Sequence, residues 1–281
     1  MLKNQSQRLA GYSPRSTNAL MALYPEEYKA VELNALFMMR SNSVRPGVEI
    51  VKSYFRNYPD NSDALELIAT FETLYGKNDT TLYYCQMYVD ARPGEAEPLI
   101  TKAMWESTCD VPTGQIIKTY NKALKVTDDD AVRSTILGNI GDLYHIEQNN
   151  RKAYKYYEKA LKYDSNNALV LNNYAYFLAL DSTNLERAEM MAARAIVLQP
   201  HNPSYLDTYA WILFLKGNTS EAIHYIKQAI SFDTTGSTEL LVHYGDMLYA
   251  MGDKFMAKMY WRRAEKQGHD PEVIAQKLKQ P

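Results

Sequence analysis

Apolar residues recur along this chain at the spacing of amphipathic helices. In residues 203–236, Leu206, Tyr209, Ala210 and Leu213 occupy positions i, i+3, i+4 and i+7 of one helical face. Gly217 then interrupts the pattern, and we expect Ser220 to cap a second helix. No segment alternates apolar and polar residues over the length of a strand. The pattern therefore predicts an all-α fold built from pairs of helices.

This helical pattern repeats with a period near 34 residues. Pro25, Pro59 and Pro93 are 34 positions apart, and Ala160, Ala195 and Ala229 are separated by 35 and then 34 positions. The register gives seven units, at 28–61, 62–95, 97–130, 134–167, 168–202, 203–236 and 238–271. A period of this length is typical of repeat proteins, in which each unit packs on its neighbours.

Small residues recur at fixed positions of these units. Position 8 holds Ala35, Ala69, Met104, Gly141, Ala175, Ala210 and Gly245. Position 20 of the last four units holds Ala153, Ala188, Ala222 and Ala257. Position 27 of the last five units holds Ala123, Ala160, Ala195, Ala229 and Ala264. Unit 168–202 needs one inserted residue near Ser182 to keep this register. Small side chains would let paired helices approach to about 8–10 Å.

The arrangement resembles the tetratricopeptide repeat (TPR). Four segments, ILGNIGDLYH (136–145), LNNYAYFLAL (171–180), YLDTYAWILF (205–214) and LLVHYGDMLY (240–249), are similar to the C-terminal repeats of long TPR proteins of the Bacteroidetes cell envelope. The resemblance implies a right-handed superhelical α-solenoid of about seven helix pairs within 13–281. It also implies a binding scaffold whose ligands lie in a concave groove lined by the first helices.

The two ends of the repeat region differ from the units between them. Residues 13–27 resemble the second helix of an eighth unit, a half repeat with exposed Leu20 and Leu23, and residues 1–12 are expected to be a mobile tail. This end is predicted to contact another molecule or to have followed further repeats. At the other end, 271–280 is expected to form a capping helix whose Ile274 and Leu278 cover the last repeat.

Composition and charge bear on which classes of function and which cellular locations we expect for this protein. The chain has 31 basic and 33 acidic residues, a balance that argues against a dedicated nucleic-acid binder. No run of 18 apolar residues and no secretory signal occurs. We expect a cytoplasmic protein if the chain is complete, and a periplasmic or outer-membrane-associated one if it is a fragment of an exported protein.

The resemblance places twelve residues in the groove, at positions 2, 5, 6, 9 and 12 of the first helices. They are Asn139, Asp142, His145, Asn172, Asn173, Tyr176, Asp207, Trp211, Phe214, His243, Asp246 and Tyr249. Asparagine amides can pair with a peptide backbone, and aromatic faces supply contact area. The aspartates make the groove acidic, which predicts an extended protein or peptide partner with apolar anchors and basic residues. Tyr176, Trp211 and Phe214 could instead only pack between repeats.

Catalytic alternatives have less support. His145 with Asp142 and His243 with Asp246 lie one helical turn apart, and such pairs could move protons. No metal-ligand or phosphate-loop motif accompanies them, so we expect no metal and no cofactor. Cys85 falls at a buried position, and Cys109 has no neighbouring base. The preferred hypothesis is a non-enzymatic interaction scaffold. The alternatives are a structural spacer or assembly-factor segment of a larger envelope protein, and an enzyme that uses the His–Asp pairs.

Overall fold

The computed structural model describes residues 11–41, 43–74 and 78–280, and these residues form helices joined by short turns, without a strand among them. The chain divides into two compact units, Met1–Asp128 (unit 1) and Asp129–Pro281 (unit 2). The predicted tail lies mostly outside the described residues. The prediction of an all-α repeat fold is confirmed.

Within the described residues, unit 1 contains three helix pairs preceded by a single helix. Its helices are α1 (Pro14–Leu23), α2 (Tyr28–Arg40), α3 (Val44–Asn57), α4 (Asp63–Leu74), α5 (Asn78–Ala91), α6 (Ala96–Thr108) and α7 (Thr113–Val126). Within each pair the two helices pack along one another, and α1 packs on α2. On α1, Met21 packs against the core and Leu23 is 71% exposed.

The structure corrects the predicted register in the third unit. Met104 is 39% exposed, whereas Ala103 is fully buried and is the small residue that faces α7. Tyr120 and Ala123 on α7 are buried as predicted. The first helix therefore starts one residue earlier than expected, and the extra residue lies in the turn after α6. Its Asp110 adopts a positive φ of 55°.

Unit 2 contains four helix pairs and a final short helix. Its helices are α8 (Asp130–Ile146), α9 (Asn150–Tyr163), α10 (Ala168–Leu180), α11 (Leu185–Leu198), α12 (Pro203–Leu215), α13 (Thr219–Phe232), α14 (Thr238–Ala250), α15 (Lys254–Lys266) and α16 (Pro271–Leu278). The first helices of successive pairs also contact one another. The alanines at positions 20 and 27 of these pairs are fully buried, which explains why the repeat keeps them small.

The turns within these pairs share one backbone geometry. Position 15 has a positive φ in all four, at Gln148 (58°), Ser182 (52°), Gly217 (87°) and Gly252 (88°). This left-handed residue directly follows the C-cap of the first helix, which is the position that glycine usually occupies at a helix C-terminus. The inserted residue of unit 168–202 lies in its turn, next to Ser182. The predicted cap at Ser220 is wrong, because α13 begins at Thr219 with Asn218 as its N-cap.

The last helix covers the apolar end of the final pair. Ile274 of α16 is fully buried and Leu278 packs in the same cluster, which contains Leu241, Val242, Ala257, Trp261 and Ala264. Asp270 caps α16 by accepting a hydrogen bond from the backbone N–H of Glu272. The helix thereby shields an apolar side of α14 and α15 from solvent.

Candidate functional site

The first helices of unit 2, α8, α10, α12 and α14, carry all twelve predicted groove residues. Eleven of them are half-buried: Asn139, Asp142, His145, Asn173, Tyr176, Asp207, Trp211, Phe214, His243, Asp246 and Tyr249. Asn172 is only 7% exposed, and its Oδ1 is enclosed without a donor among the described residues. Asn172 therefore belongs to the packing between helices and does not line the face as predicted. We call the surface formed by the other eleven residues the first-helix face.

Asp142 of α8 forms hydrogen bonds with side chains of two neighbouring helices, α9 and α10. Its carboxylate accepts hydrogen bonds from the Tyr157 hydroxyl of α9 and from Asn173 Nδ2 of α10, the latter at 3.2 and 3.3 Å. Burial raises the pKa of Asp142, although both donors oppose the shift. Asp142 thus joins a helix pair to the first helix of the next pair.

Asp246 of α14 repeats this arrangement. It accepts from the Trp261 indole N–H of α15 at 3.0 Å and from Lys277 Nζ of α16 at 2.7 Å. In both pairs the acid stands at position 9, the aromatic donor at position 24, and a glycine at position 8. The glycine is required because a Cβ on Gly141 would lie 2.7 Å from Tyr157, and one on Gly245 would lie 2.4 Å from Trp261.

Asp207, His243 and Trp211 form a second kind of link between neighbouring first helices. His243 Nδ1 of α14 lies 2.8 Å from Asp207 Oδ1 of α12, and its ring stacks on Trp211 with centroids 4.4 Å apart. Burial disfavours the charged imidazole, but the carboxylates of Asp207, Asp246 and Glu239 outweigh it and raise the pKa of His243. Trp211 is covered on one side by His243 and remains partly open to solvent.

The two predicted His–Asp pairs do not form as expected. His145 stacks on Phe177 of α10 with centroids 3.6 Å apart, and burial lowers its pKa. His243 bonds to Asp207 of the preceding pair, while Asp246 is held by Trp261 and Lys277. Residues one turn apart on a helix share a face, but the hydrogen-bond partners of these side chains come from adjacent helices. No group of three or more His, Cys, Asp or Glu side chains in the described ranges could hold a metal ion.

The remaining aromatic residues of the face contact neighbours on their own helix or within their own helix pair. Tyr176 of α10 lies in the electrostatic field of Asp207 and Glu239, and burial raises its pKa. Phe214 contacts Trp211 with ring centroids 5.3 Å apart, and Tyr249 lies 5.6 Å from the Trp261 ring. These side chains are half-buried and contribute partly open aromatic surface.

The three aspartates of the face already have donors within unit 2. Asp142 and Asp246 use both carboxylate oxygens, and Asp207 pairs with His243. The expectation that they receive cations from a ligand gains no support from this geometry. What the face offers a ligand is half-open aromatic surface, chiefly Tyr176, Trp211 and Phe214, set among polar side chains.

Several structural partners of this face were not among the predicted site residues. Phe177, Tyr157, Trp261 and Lys277 each contact a predicted residue directly. Tyr157 and Trp261 occupy position 24, and their pairing with an acid at position 9 next to a glycine is visible in the sequence as a repeated motif. Lys277 gives no such signal, because its role depends on how α16 packs.

The family model for the tetratricopeptide repeat matches residues 134–167 and 203–235, which coincide with helix pairs α8/α9 and α12/α13. The chain contains tetratricopeptide repeats. A TPR repeat-containing protein of Pseudomonas aeruginosa is 32% identical over 77 residues, which are 26% of this chain and 13% of that relative. The chain therefore matches only a small part of the relative's length.

Solved TPR structures share the fold across most of the chain. A tetratricopeptide repeat protein from Parabacteroides merdae has a TM-score of 0.63 at 20% identity, covering 90% of this chain and 97% of its own. Its likeness supports the predicted tetratricopeptide-repeat fold. YrrB, described as a TPR protein with an unusual peptide-binding site, has a TM-score of 0.50 at 18% identity, covering 70% of this chain and 98% of its own. At these identities the likeness concerns the fold alone.

Helix length and polarity also bear on membrane topology. Among the helices of the described residues, none is long and apolar enough to cross a membrane.

Proposed function

We propose that this TPR protein is a non-enzymatic scaffold that binds an extended peptide or protein segment on the first-helix face of unit 2. The observation that carries the proposal is the half-buried state of eleven side chains contributed by four consecutive first helices. Among these side chains, the aromatic Tyr176, Trp211 and Phe214 keep part of their surface open to solvent. Half-buried aromatic residues supply contact area at a low cost in side-chain entropy.

In this proposal the aromatic residues hold apolar anchors of the segment. Trp211 is pre-oriented by its ring contacts with His243 and Phe214, so little conformational freedom remains to be lost on binding. Asn139 and Asn173 contact the backbone of the segment. The first helices of unit 2 carry five acidic residues and one basic residue, which favours a neutral or basic segment over an acidic one.

A solved TPR structure that is similar in fold supports a peptide-binding role for this chain. YrrB is described as having a peptide-binding site, and its fold covers 70% of this chain. The low identity means that the position of the site does not transfer. The location on this chain is therefore argued from its own residues.

The test is selection of binding peptides from a random displayed library, followed by titration against variants. Trp211→Ala and Tyr176→Ala should each weaken the selected peptides by about tenfold or more, since central aromatic anchors dominate such interfaces. Tyr163→Ala is the matched control, because Tyr163 is a 47% exposed aromatic residue on the second helix α9. If the peptides bind the wild type and the three variants equally, the first-helix face is not the binding surface, and the structural-spacer hypothesis is then favoured.

A further inference from the structure

The second helix of the last repeat, α15, exposes apolar side chains that its packing does not use. Phe255 is 74% exposed and Met259 is 50% exposed, one turn apart on the outer face of the helix. Ala257, Trp261 and Ala264 make the contacts of the opposite face and are buried. The fold of the repeat therefore does not require an apolar residue at either exposed position.

The other repeats of unit 2 have residues of a different chemical character at the positions equivalent to Phe255 and Met259. In the pair α8/α9 the equivalent residues are Arg151 and Lys155, and in α12/α13 they are Ser220 and His224. The pair α10/α11 has Glu186 and Met190. Only the last repeat of this unit carries a large apolar residue at both, so the feature is local to α15.

Cations surround these apolar side chains. α15 has five basic residues and one acidic residue, and Arg262, Arg263 and Lys266 continue the exposed face beyond Met259. Arg262, Arg263 and Lys266 form no ion pair with any residue in the described ranges. We call the surface of Phe255, Met259, Arg262, Arg263 and Lys266 the α15 patch. Its charge is opposite to that of the first helices.

We propose that the α15 patch is a second docking surface, which binds an acidic segment of a partner protein carrying apolar anchors. Phe255 and Met259 take the anchors, and a flexible thioether suits side chains of varied shape. The unpaired cations then bind carboxylates, with arginine able to do so through two parallel hydrogen bonds. This surface is independent of the first-helix face and selects the opposite charge.

Two other occupants fit the patch less well. A helix that inserts into an anionic membrane buries an apolar face along its whole length, whereas α15 offers two large apolar side chains before its face becomes cationic. A second copy of this chain that docked through its first-helix face would have to supply carboxylates from that face. Asp142, Asp207 and Asp246 of its first-helix face are already bonded internally.

The experiment uses the full chain and short synthetic peptides in which two Leu or Phe anchors, three or four positions apart, lie among Glu and Asp residues. Fluorescence anisotropy should detect binding that weakens as salt rises, because exposed charge pairs are screened. Phe255→Ser with Met259→Ser, and Arg262→Glu with Arg263→Glu, should each weaken binding by about tenfold or more. Trp211→Ala should leave it unchanged, which separates this result from the first-helix face.

The matched control is Arg151→Glu with Lys155→Glu on α9, which makes the same charge change at exposed positions of another second helix. Circular dichroism spectra equal to that of the wild type exclude unfolding of each variant. If the α9 control weakens peptide binding as much as Arg262→Glu with Arg263→Glu does, the loss reflects the overall charge of the protein, and the proposal is overturned. Failure of every acidic peptide to bind, or binding of the chain to phosphatidylserine vesicles in place of peptides, would also overturn it.

Discussion

Glycine at position 8 of two repeats is fixed by the size of an aromatic neighbour. At Gly245 an added Cβ would lie 2.4 and 2.5 Å from the Nε1 and Cδ1 atoms of Trp261. Trp261 is 1% exposed and donates to Asp246, so the rigid indole has no room to move away. The sequence alone shows only that position 8 is small.

Gly245→Ala should therefore destabilise the protein by about 1–3 kcal/mol through overpacking. The measurement is chemical denaturation followed by circular dichroism. Gly114→Ala is the control, since nothing lies within 4 Å of the Cβ it would add near the start of α7. That control should be neutral or stabilising by up to about 1 kcal/mol, because alanine favours helix. Equal stability of the two variants would contradict the role given to Trp261.

Two histidines of the first-helix face should titrate on opposite sides of their ordinary value of 6.5. Burial disfavours the charged imidazole of both residues. The carboxylates of Asp207, Asp246 and Glu239 raise the pKa of His243, whereas for His145 the opposing carboxylate is that of Asp181. The stabilisation from His243 is present below its unfolded pKa and lost as pH rises through its folded pKa. The contribution of His145 is present above its unfolded pKa and is lost as pH falls through its lower folded pKa.

Proton NMR of the imidazole signals, assigned with His243→Gln and His145→Gln, measures both pKa values. We expect that of His243 above 6.5 and that of His145 below it. The reverse order would show that Asp207 does not hold His243 in the arrangement described.

At the scale of elements, the sequence contains nearly all the information on where helices pair. Buried alanines at positions 20 and 27 follow from the repeat alone, as does the burial of Cys85. The one-residue shift at Ala103 was missed because Met104 can also pack in a core, and only the length of the turn decides between them. The predicted His–Asp pairs do not form, because side-chain partners depend on distances between helices, which no spacing along one helix reveals.

The last element, α16, stabilises the end of unit 2 chiefly through one side chain. Ile274 is fully buried, whereas its neighbour Val273 is 38% exposed. Ile274→Ala should lower the free energy of unfolding by about 2–5 kcal/mol, and Val273→Ala should change it by less than about 0.5 kcal/mol. Thermal unfolding of both variants checks this difference. Similar melting temperatures would mean that α16 does not hold the end of the final pair.

At the scale of the molecule, the helices of unit 2 divide the charge between two surfaces. The first helices carry one basic and five acidic residues, while the second helices carry thirteen basic and five acidic ones. A near-neutral chain can therefore present two surfaces that attract partners of different charge. Overall composition hides this division, which appears only when residues are assigned to helices.

The central claim is that a ligand segment lies on the first helices of unit 2. Photo-crosslinking of a library-selected peptide, with the adducts located by mass spectrometry, tests it most directly. We predict adducts within 134–146, 168–180, 203–215 and 238–250, and their loss in Trp211→Ala together with Tyr176→Ala. Adducts confined to the second helices of unit 2, or to unit 1, would contradict the account.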